Sequence, residues 1–267
     1  MRARERVSAA ATGLAAGVAG GLFGVGGGLV LIPLLTALFR FSQHRAHGTS
    51  LAVIGATALT SIIVYGAFSN VAWGTAATVA LASALTARYG ARLAVRLSSR
   101  GLARAFAAFL VLVALRLLWK APEVHPAPFH HGLAGLAFDL ALGCAVGLVS
   151  GFMGVGGGII AVPAFTLALG MSQQMAQGTS LAIIVVTAPA GAFEHGRHGN
   201  VAWRSVPLLA LGAAVGGPLA SWFAQWLPHV LLARAFAVFL LANAANTWMR
   251  AAGRAPREPG GPRPSSP

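Results

Sequence analysis

Two glycine runs carry the sharpest chemical signal in this chain: Gly24-Val25-Gly26-Gly27-Gly28 and Gly154-Val155-Gly156-Gly157-Gly158. Each sits inside an otherwise apolar stretch. A glycine in a helix interior costs about 1 kcal/mol relative to alanine, so three in a row predict a break. Without Cβ atoms the backbone there can adopt positive φ and expose N–H groups. Irregular backbone at membrane depth is tolerated only where it is buried in protein or lines a watery cavity. Unpaired amides at the start of the following helix, expected at Leu29 and Ile159, make an anion site that needs no charged side chain. Pro33 and Pro163 are expected in the first turns of these helices, where a missing N–H does least harm. A dinucleotide-binding loop fits poorly, since no strand precedes the glycines and no acidic residue follows about 20 positions on. Helix packing is the competing reading: Gly13, Gly17 and Gly21, and also Gly20, Gly24 and Gly28, recur at every fourth position. Packing accounts for Gly13 and Gly17. For the triplets, functional backbone ranks ahead of packing.

Gly48-Thr49-Ser50 and Gly178-Thr179-Ser180 read as openings of the next span in each half. Ser and Thr there are ordinary helix caps, and they would also present N–H and hydroxyl donors to an anion. Asn70-Val71-Ala72-Trp73 and Asn200-Val201-Ala202-Trp203 read as short loops, Asn turning the chain and Trp anchoring it at the interface. Asp139 and Glu194 are the acidic residues within or at the edge of apolar segments. Ionisable groups in a membrane are functional candidates by default, so Asp139, or Glu194 with its neighbour His195, could relay protons. Their positions in the first half hold no such acid. No Ser/His/Asp arrangement or zinc-ligand set is visible, so neither an enzyme, a metal nor a cofactor is indicated. His125, His130 and His131 could bind a metal only weakly. Cys144 is the one cysteine, which rules out an intrachain disulfide.

The elements that must position these residues are membrane helices. Hydrophobic residues make up 57% of the 267-residue chain and charged residues 9%, against about 25% charged in soluble domains. Residues 46–87 and 205–233 contain no Lys, Arg, Asp or Glu. A bilayer core about 30 Å thick needs about 20 apolar residues per helix. The net charge of +14 would suggest nucleic acid in a soluble protein. Here the arginines lie between apolar runs and at the ends, as the positive-inside rule requires, and no nucleic acid is implied. The arginine-led start resembles a signal peptide. The residues directly after it reappear in the second half, so the start is expected to stay in the mature chain. Arg88, Arg92 and Arg96 share one helix face and read as a stripe against lipid headgroups.

The chain repeats itself. GLFGVGGGLVLIP from Gly21 matches GFMGVGGGIIAVP from Gly151, AHGTSLAVI matches AQGTSLAII, and NVAW recurs unchanged, all 130 residues apart (151 − 21). This predicts an all-α polytopic fold of two membrane repeats, 1–130 and 131–250, followed by a disordered Pro/Arg-rich tail, 251–267. If every one of about eight hydrophobic segments spans once, Lys and Arg divide almost evenly between the two sides. If the Gly-interrupted segment of each repeat is a re-entrant pair of short helices, each repeat has three full spans and the second is inverted. Only Arg116, Lys120 and Arg234 of the 19 Lys and Arg then fall outside. About 15 residues on each side of the first break give helices of roughly 22 Å, too short to cross. Repeated units of this kind are usual in secondary transporters, with the substrate site at the repeat interface.

These doubled motifs, G-x-x-G-V-G-G-G followed by Pro and then a G-T-S-L step, resemble the sulfite exporter TauE/SafE family over about residues 8–250. The resemblance implies a plasma-membrane permease for a small anion, a sulfur oxyanion or organosulfonate. It places the motif core on Gly24, Gly26, Gly27, Gly28, Pro33, Gly48, Thr49 and Ser50, and on Gly154, Gly156, Gly157, Gly158, Pro163, Gly178, Thr179 and Ser180. The leading expectation is therefore a secondary carrier in the inner membrane with both termini cytoplasmic. An anion channel and a membrane subunit without transport of its own are the alternatives. Replacing Gly27 and Gly157 by Ala is expected to abolish transport and spare membrane insertion.

Overall fold

The computed structural model describes residues 3–96, 99–119 and 132–252. The Pro-rich joining loop with Lys120, His125, His130 and His131, and the tail from 253 onward, lie outside the described residues. Described residues fold into helices α1 (Ala3–Phe23), α2 (Gly28–Leu38), α3 (Gln43–Ala67), α4 (Trp73–Arg96), α5 (Ser99–Trp119), α6 (Leu133–Met153), α7 (Gly158–Ala168), α8 (Gln173–Arg197), α9 (Val206–Gln225) and α10 (His229–Ala252). Among them α1, α3, α6, α8, α9 and α10 are long and apolar enough to cross a bilayer. The chain is a polytopic all-helical membrane protein. α6, α7 and α8 begin 130 residues after α1, α2 and α3 (133 − 3, 158 − 28, 173 − 43).

Several helix ends differ from the sequence expectation, each for a local reason. α1 starts at Ala3 and continues through Arg4, Glu5 and Arg6, so it has 21 residues. At 1.5 Å per residue that is about 30 Å, enough to cross. Only α2 and α7, with 11 residues each, are too short. α3 and α8 begin before the G-T-S steps. Their caps are Ser42, whose hydroxyl accepts from the Arg45 N–H at 3.4 Å, and Ser172, which accepts from Met175 N–H at 3.2 Å. Thr49, Ser50, Thr179 and Ser180 therefore sit in the second turn rather than at the cap, and they are fully buried. Pro33 and Pro163 are the sixth residues of α2 and α7. That is past the first turn, so each removes one i→i−4 bond.

Glycines set how the helices meet. A methyl group at Gly13, Gly17 or Gly21 would overlap the main chain of Leu209, Ala213 or Gly217, so α1 lies directly on α9 and parallel to it. The equivalent Gly143, Gly147 and Gly151 lie on Val79, Ser83 and Ala87, which makes α6 parallel to α4. α3 and α8 run antiparallel: Gly48 faces His195 and Asn200, while Gly178 faces Tyr65 and Asn70. α3 is parallel to α9, since Thr57 and Ser61 meet Gly217 and Asn70 Nδ2 donates to Gln225 Oε1 at 2.6 Å. α1 and α3 thus run the same way, and α2 returns the chain between them.

The halves are stapled by a reciprocal pair of bonds. Thr49 Oγ1 accepts from the Ala202 N–H at 2.9 Å, and Thr179 Oγ1 accepts from the Ala72 N–H at 3.0 Å. Each G-T-S threonine thereby satisfies the N-V-A-W loop of the other half. α5 and α10 pair with each other, and Phe23 at the end of α1 stacks on Phe239 of α10 at 4.6 Å between ring centroids.

Thermal unfolding in detergent checks both kinds of contact. Gly17→Val and Gly147→Val should each cost about 1–3 kcal/mol or more from overpacking, with losses of similar size in the two repeats. Thr49→Val and Thr179→Val should each cost about 1–3 kcal/mol by leaving a buried N–H without an acceptor. A wild-type melting point in either threonine variant would show that the staple contributes nothing.

Candidate functional site

The two glycine breaks meet at the centre of the molecule. Gly24, Gly26 and Gly27 have φ of 68, 71 and 85°, and Gly154, Gly156 and Gly157 have 68, 79 and 78°. All six occupy the left-handed region that glycine reaches without strain, and the two loops are mirror copies. Space requires glycine as well. A methyl at Gly27 would overlap the Ala16 carbonyl, and one at Gly157 would lie 2.5 Å from Val146 Cγ1. Gly27→Ala and Gly157→Ala, expected to abolish transport and spare membrane insertion, would in addition strain the fold around the breaks.

Each loop packs on the other half. Gly24 faces Gln177 and Gly154 faces His47. A methyl placed on Gly26 would lie 3.2 Å from Ile54 Cβ and 3.5 Å from Ile184 Cγ2, and one on Gly156 would lie 2.8 and 3.5 Å from the same two isoleucines. Ile54 and Ile184, both fully buried, occupy equivalent positions in the two halves (184 − 54 = 130), so the local two-fold relation passes between them. They fill the space between the breaks with hydrocarbon.

Helices α2 and α7 start at this centre. Val30 and Leu31 N–H close on the Gly27 carbonyl, and Ile160 and Ala161 N–H on that of Gly157. The amides one and two residues into each helix have no intrahelical acceptor, as at any helix start. A methyl placed on Gly28 would lie 3.2 Å from Ser50 Oγ, and one placed on Gly158 would lie 2.8 Å from Ser180 Oγ. Both serine hydroxyls are fully buried and have no hydrogen-bond partner. A buried hydroxyl without a partner forfeits about 1–3 kcal/mol. Here two of them stand in mirror positions, each beside the positive end of a half-helix. The arrangement can donate hydrogen bonds to a small anion from main chain and hydroxyl, with no lysine or arginine involved.

The sequence-derived candidates fall into three groups. Gly24, Gly26, Gly27, Gly28, Ser50 and their counterparts Gly154, Gly156, Gly157, Gly158 and Ser180 converge at the centre. Thr49 and Thr179 lie one residue away, with their hydroxyls accepting from the opposing loops. Asp139 and Glu194 do not contact the breaks, whereas His195 reaches the last turn of α6 just before the second break. Asp139 is near the start of α6, the end remote from the break, and its Oδ2 accepts from Thr78 Oγ1 at 3.5 Å. Glu194, 3% exposed, is ion-paired with Arg92 Nε at 3.0 Å. Arg92 is thus tied to α8, in addition to lying on the exposed face of α4 beside Tyr89. The Arg96 side chain lies outside the described residues.

Sequence reasoning alone passes over the contacts of four residues that the structure draws into the same region. Tyr65 donates to the Gly21 carbonyl at 2.9 Å and contacts Gln177 Oε1 at 2.9 Å. At the mirror position His195 Nε2 lies 3.0 Å from the Gly151 carbonyl, and His47 Nδ1 lies 3.3 Å from that of Phe152. The repeat offset itself is the available signal, since it pairs His47 with Gln177 and Tyr65 with His195 (177 − 47 and 195 − 65, both 130).

Comparison with known proteins agrees with this architecture. The model of the family described as sulfite exporter TauE/SafE matches residues 1–117 and 140–267. The chain is 31% identical over 229 residues to the probable membrane transporter protein YunE of Bacillus subtilis, covering 78% of this chain and 84% of that one. It is 27% identical over 257 residues to a probable membrane transporter protein of Haemophilus influenzae, covering 89% and 96%. It is 27% identical over 213 residues to the probable membrane transporter protein MJ0441 of Methanocaldococcus jannaschii, covering 75% and 78%. No solved structure matches significantly. With paired half-helices meeting at the middle of a multi-span bundle and a family match along nearly its whole length, this chain belongs to the sulfite exporter TauE/SafE family of membrane transporters and is not an enzyme.

Proposed function

We propose that the chain is a secondary carrier for a small anion, a sulfur oxyanion or an organosulfonate, in the plasma membrane. The observation that carries this reading is the mirrored pair of buried, unpartnered hydroxyls, Ser50 and Ser180, at the starts of α2 and α7. Tetrahedral oxyanions present several acceptor oxygens. Two half-helix ends converging from opposite directions supply amide and hydroxyl donors on two sides of such an ion. Hydrogen bonds to a charged acceptor are about twice as strong as neutral ones, which offsets part of the cost of removing the ion from water.

The repeat supplies the means of alternating access. Antiparallel α3 and α8 support an inverted relation between 1–130 and 131–250, with both termini cytoplasmic. In that arrangement the site lies between repeats, and rocking one bundle of helices, drawn from both repeats, against the other exposes it to each side in turn. Ile54 and Ile184 close the axis between the breaks, which favours a carrier over a continuously open pore.

The test joins ligand stabilisation to a variant that removes only hydroxyls. The purified protein is heated with sulfite, sulfate, thiosulfate, organosulfonates, carboxylates and chloride at equal ionic strength. Selective stabilisation by one oxyanion class is expected, rising to about 2.7 kcal/mol at a hundred times Kd. Ser50→Ala/Ser180→Ala should melt at or above the wild-type temperature without ligand, because no existing bond is lost, and its ligand-induced shift should vanish along with flux in liposomes. An unchanged shift in the double variant would refute the site.

A further inference from the structure

Among the positions where the two halves of the molecule differ, two equivalent ones, Tyr65/His195 and Gln177/His47, concern protons. On one side, the Tyr65 hydroxyl donates to the Gly21 carbonyl at the end of α1, with Gln177 beside it. On the other, His195 and His47 hold the Gly151 and Phe152 carbonyls at the end of α6. A carbonyl oxygen only accepts, so Nε2 of His195 and Nδ1 of His47 carry the hydrogens. The remaining nitrogens are not alike. His47 Nε2 faces the Gln43 amide at 3.1 Å, which donates to it. His195 Nδ1 is buried and has no partner. His195 can therefore bind a proton on Nδ1 without breaking any bond it already makes.

We propose that His195, with His47 beside it, is the proton-binding site of the transport cycle, and that Tyr65–Gln177 is its proton-fixed counterpart. This inference rests on the carrier reading above. The proton enters from water onto the Nδ1 lone pair, converts a neutral imidazole to imidazolium, and leaves from the same nitrogen on the other side of the cycle. Its positive charge offsets one negative charge of the anion, so that binding of the anion and of the proton favour each other. The link between them is short. Both imidazoles grip the last turn of α6, immediately before the break whose far end is the start of α7. Gly154 packs on His47 itself, and His47 lies one turn from Ser50 along α3.

The charged and titratable neighbours are these. Glu194 adjoins His195 on α8 and is ion-paired with Arg92 of α4. His198 Nδ1 lies 2.8 Å from the Glu194 carbonyl in the last turn of α8, next to Arg197. His44 stands one turn before His47 on α3. α6 contributes only main-chain carbonyls to the pair. Glu194 and Arg92 neutralise one another, which leaves the imidazoles as the groups with a free lone pair for a proton.

The variant His47→Gln/His195→Tyr installs the pair the chain already uses at the mirror position. The experiment reconstitutes wild type and variant in liposomes with the membrane potential clamped to zero. The probes are sulfate, thiosulfate and isethionate, which remain unprotonated near neutrality. For one proton per anion, a one-unit pH gradient should concentrate anion on the alkaline side about tenfold in wild type, with matching proton entry reported by a trapped pH dye. The variant should retain anion-for-anion exchange but accumulate nothing, its ratio falling to about one. Exchange serves as the control for folding and for the anion site. Wild-type flux without proton entry, or a variant that accumulates like wild type, overturns the inference and leaves the carrier reading standing. No flux of any probe in wild type overturns both.

Discussion

A chain that turns back at membrane depth has no water there to satisfy its amides, and this constraint organises the molecule. The turn between α1 and α2 folds Gly27 onto Ala16 and Gly20 onto the Gly26–Gly27 peptide, at distances that admit no side chain. Three left-handed glycines per loop make the turn possible. Once it is made, two helix starts are left in the interior with amides that need acceptors, and among the described residues no acidic side chain is seen to meet them. Most of the other features come from holding those two starts in place. Ile54 and Ile184 wedge between the loops, Gln177 and His47 cover Gly24 and Gly154, and the flanking helices are stripped to glycine where they meet.

The close helix contacts bear on stability and mobility differently from the staples. Lipid tails are as apolar as leucine, so burial of hydrocarbon gives little drive for helix association in a bilayer. Dispersion and weak polar contacts between backbones at glycine stripes must supply it, which explains why α1 on α9 and α4 on α6 meet through glycine or alanine along their length. These are contacts between the first helix of one half and the fourth of the other. Thr49–Ala202 and Thr179–Ala72 also cross between halves. The halves are thus interlocked, and any rocking motion must carry α1 with α9 and α4 with α6 as joined bodies, sliding along the antiparallel α3–α8 contact where the serines and isoleucines lie.

Much of this is legible in the sequence. The glycine triplets locate the breaks, the 130-residue offset locates equivalent helices, and four-residue glycine spacing marks the α1 packing face. The features that escape have physical causes. The start of α3 is hidden because Gln43, His44, Arg45 and His47 look like a loop, whereas one cap hydroxyl on Ser42 suffices to begin the helix there. α1 looks short because Arg4, Glu5 and Arg6 resemble a flank, yet a helix extends past the hydrocarbon without penalty. Thr49 and Thr179 resemble caps or ligand contacts; their partners are 153 and 107 residues distant, and local spacing carries no trace of them. Ser50 and Ser180 carry the same motif position in both halves, but only burial without a partner separates them from the threonines next door.

His195 illustrates how a symmetric scaffold hides its asymmetries. Compared by type, His195 and Tyr65 are unrelated residues, and their mismatch argues against a shared role. Compared by contact, both hold the carbonyl of a glycine 130 residues apart, Gly21 and Gly151. The structural task, securing the last turn before the break, is common to both and is met by any side chain of that reach with one donor. What differs is the second function each group offers: a phenol has spent its only hydrogen, whereas an imidazole has a second nitrogen. Duplication therefore leaves a position where the fold is indifferent to the substitution and the chemistry is not. Under the carrier reading proposed above, such a position is where direction and coupling can be set without disturbing the two serines and the glycine breaks.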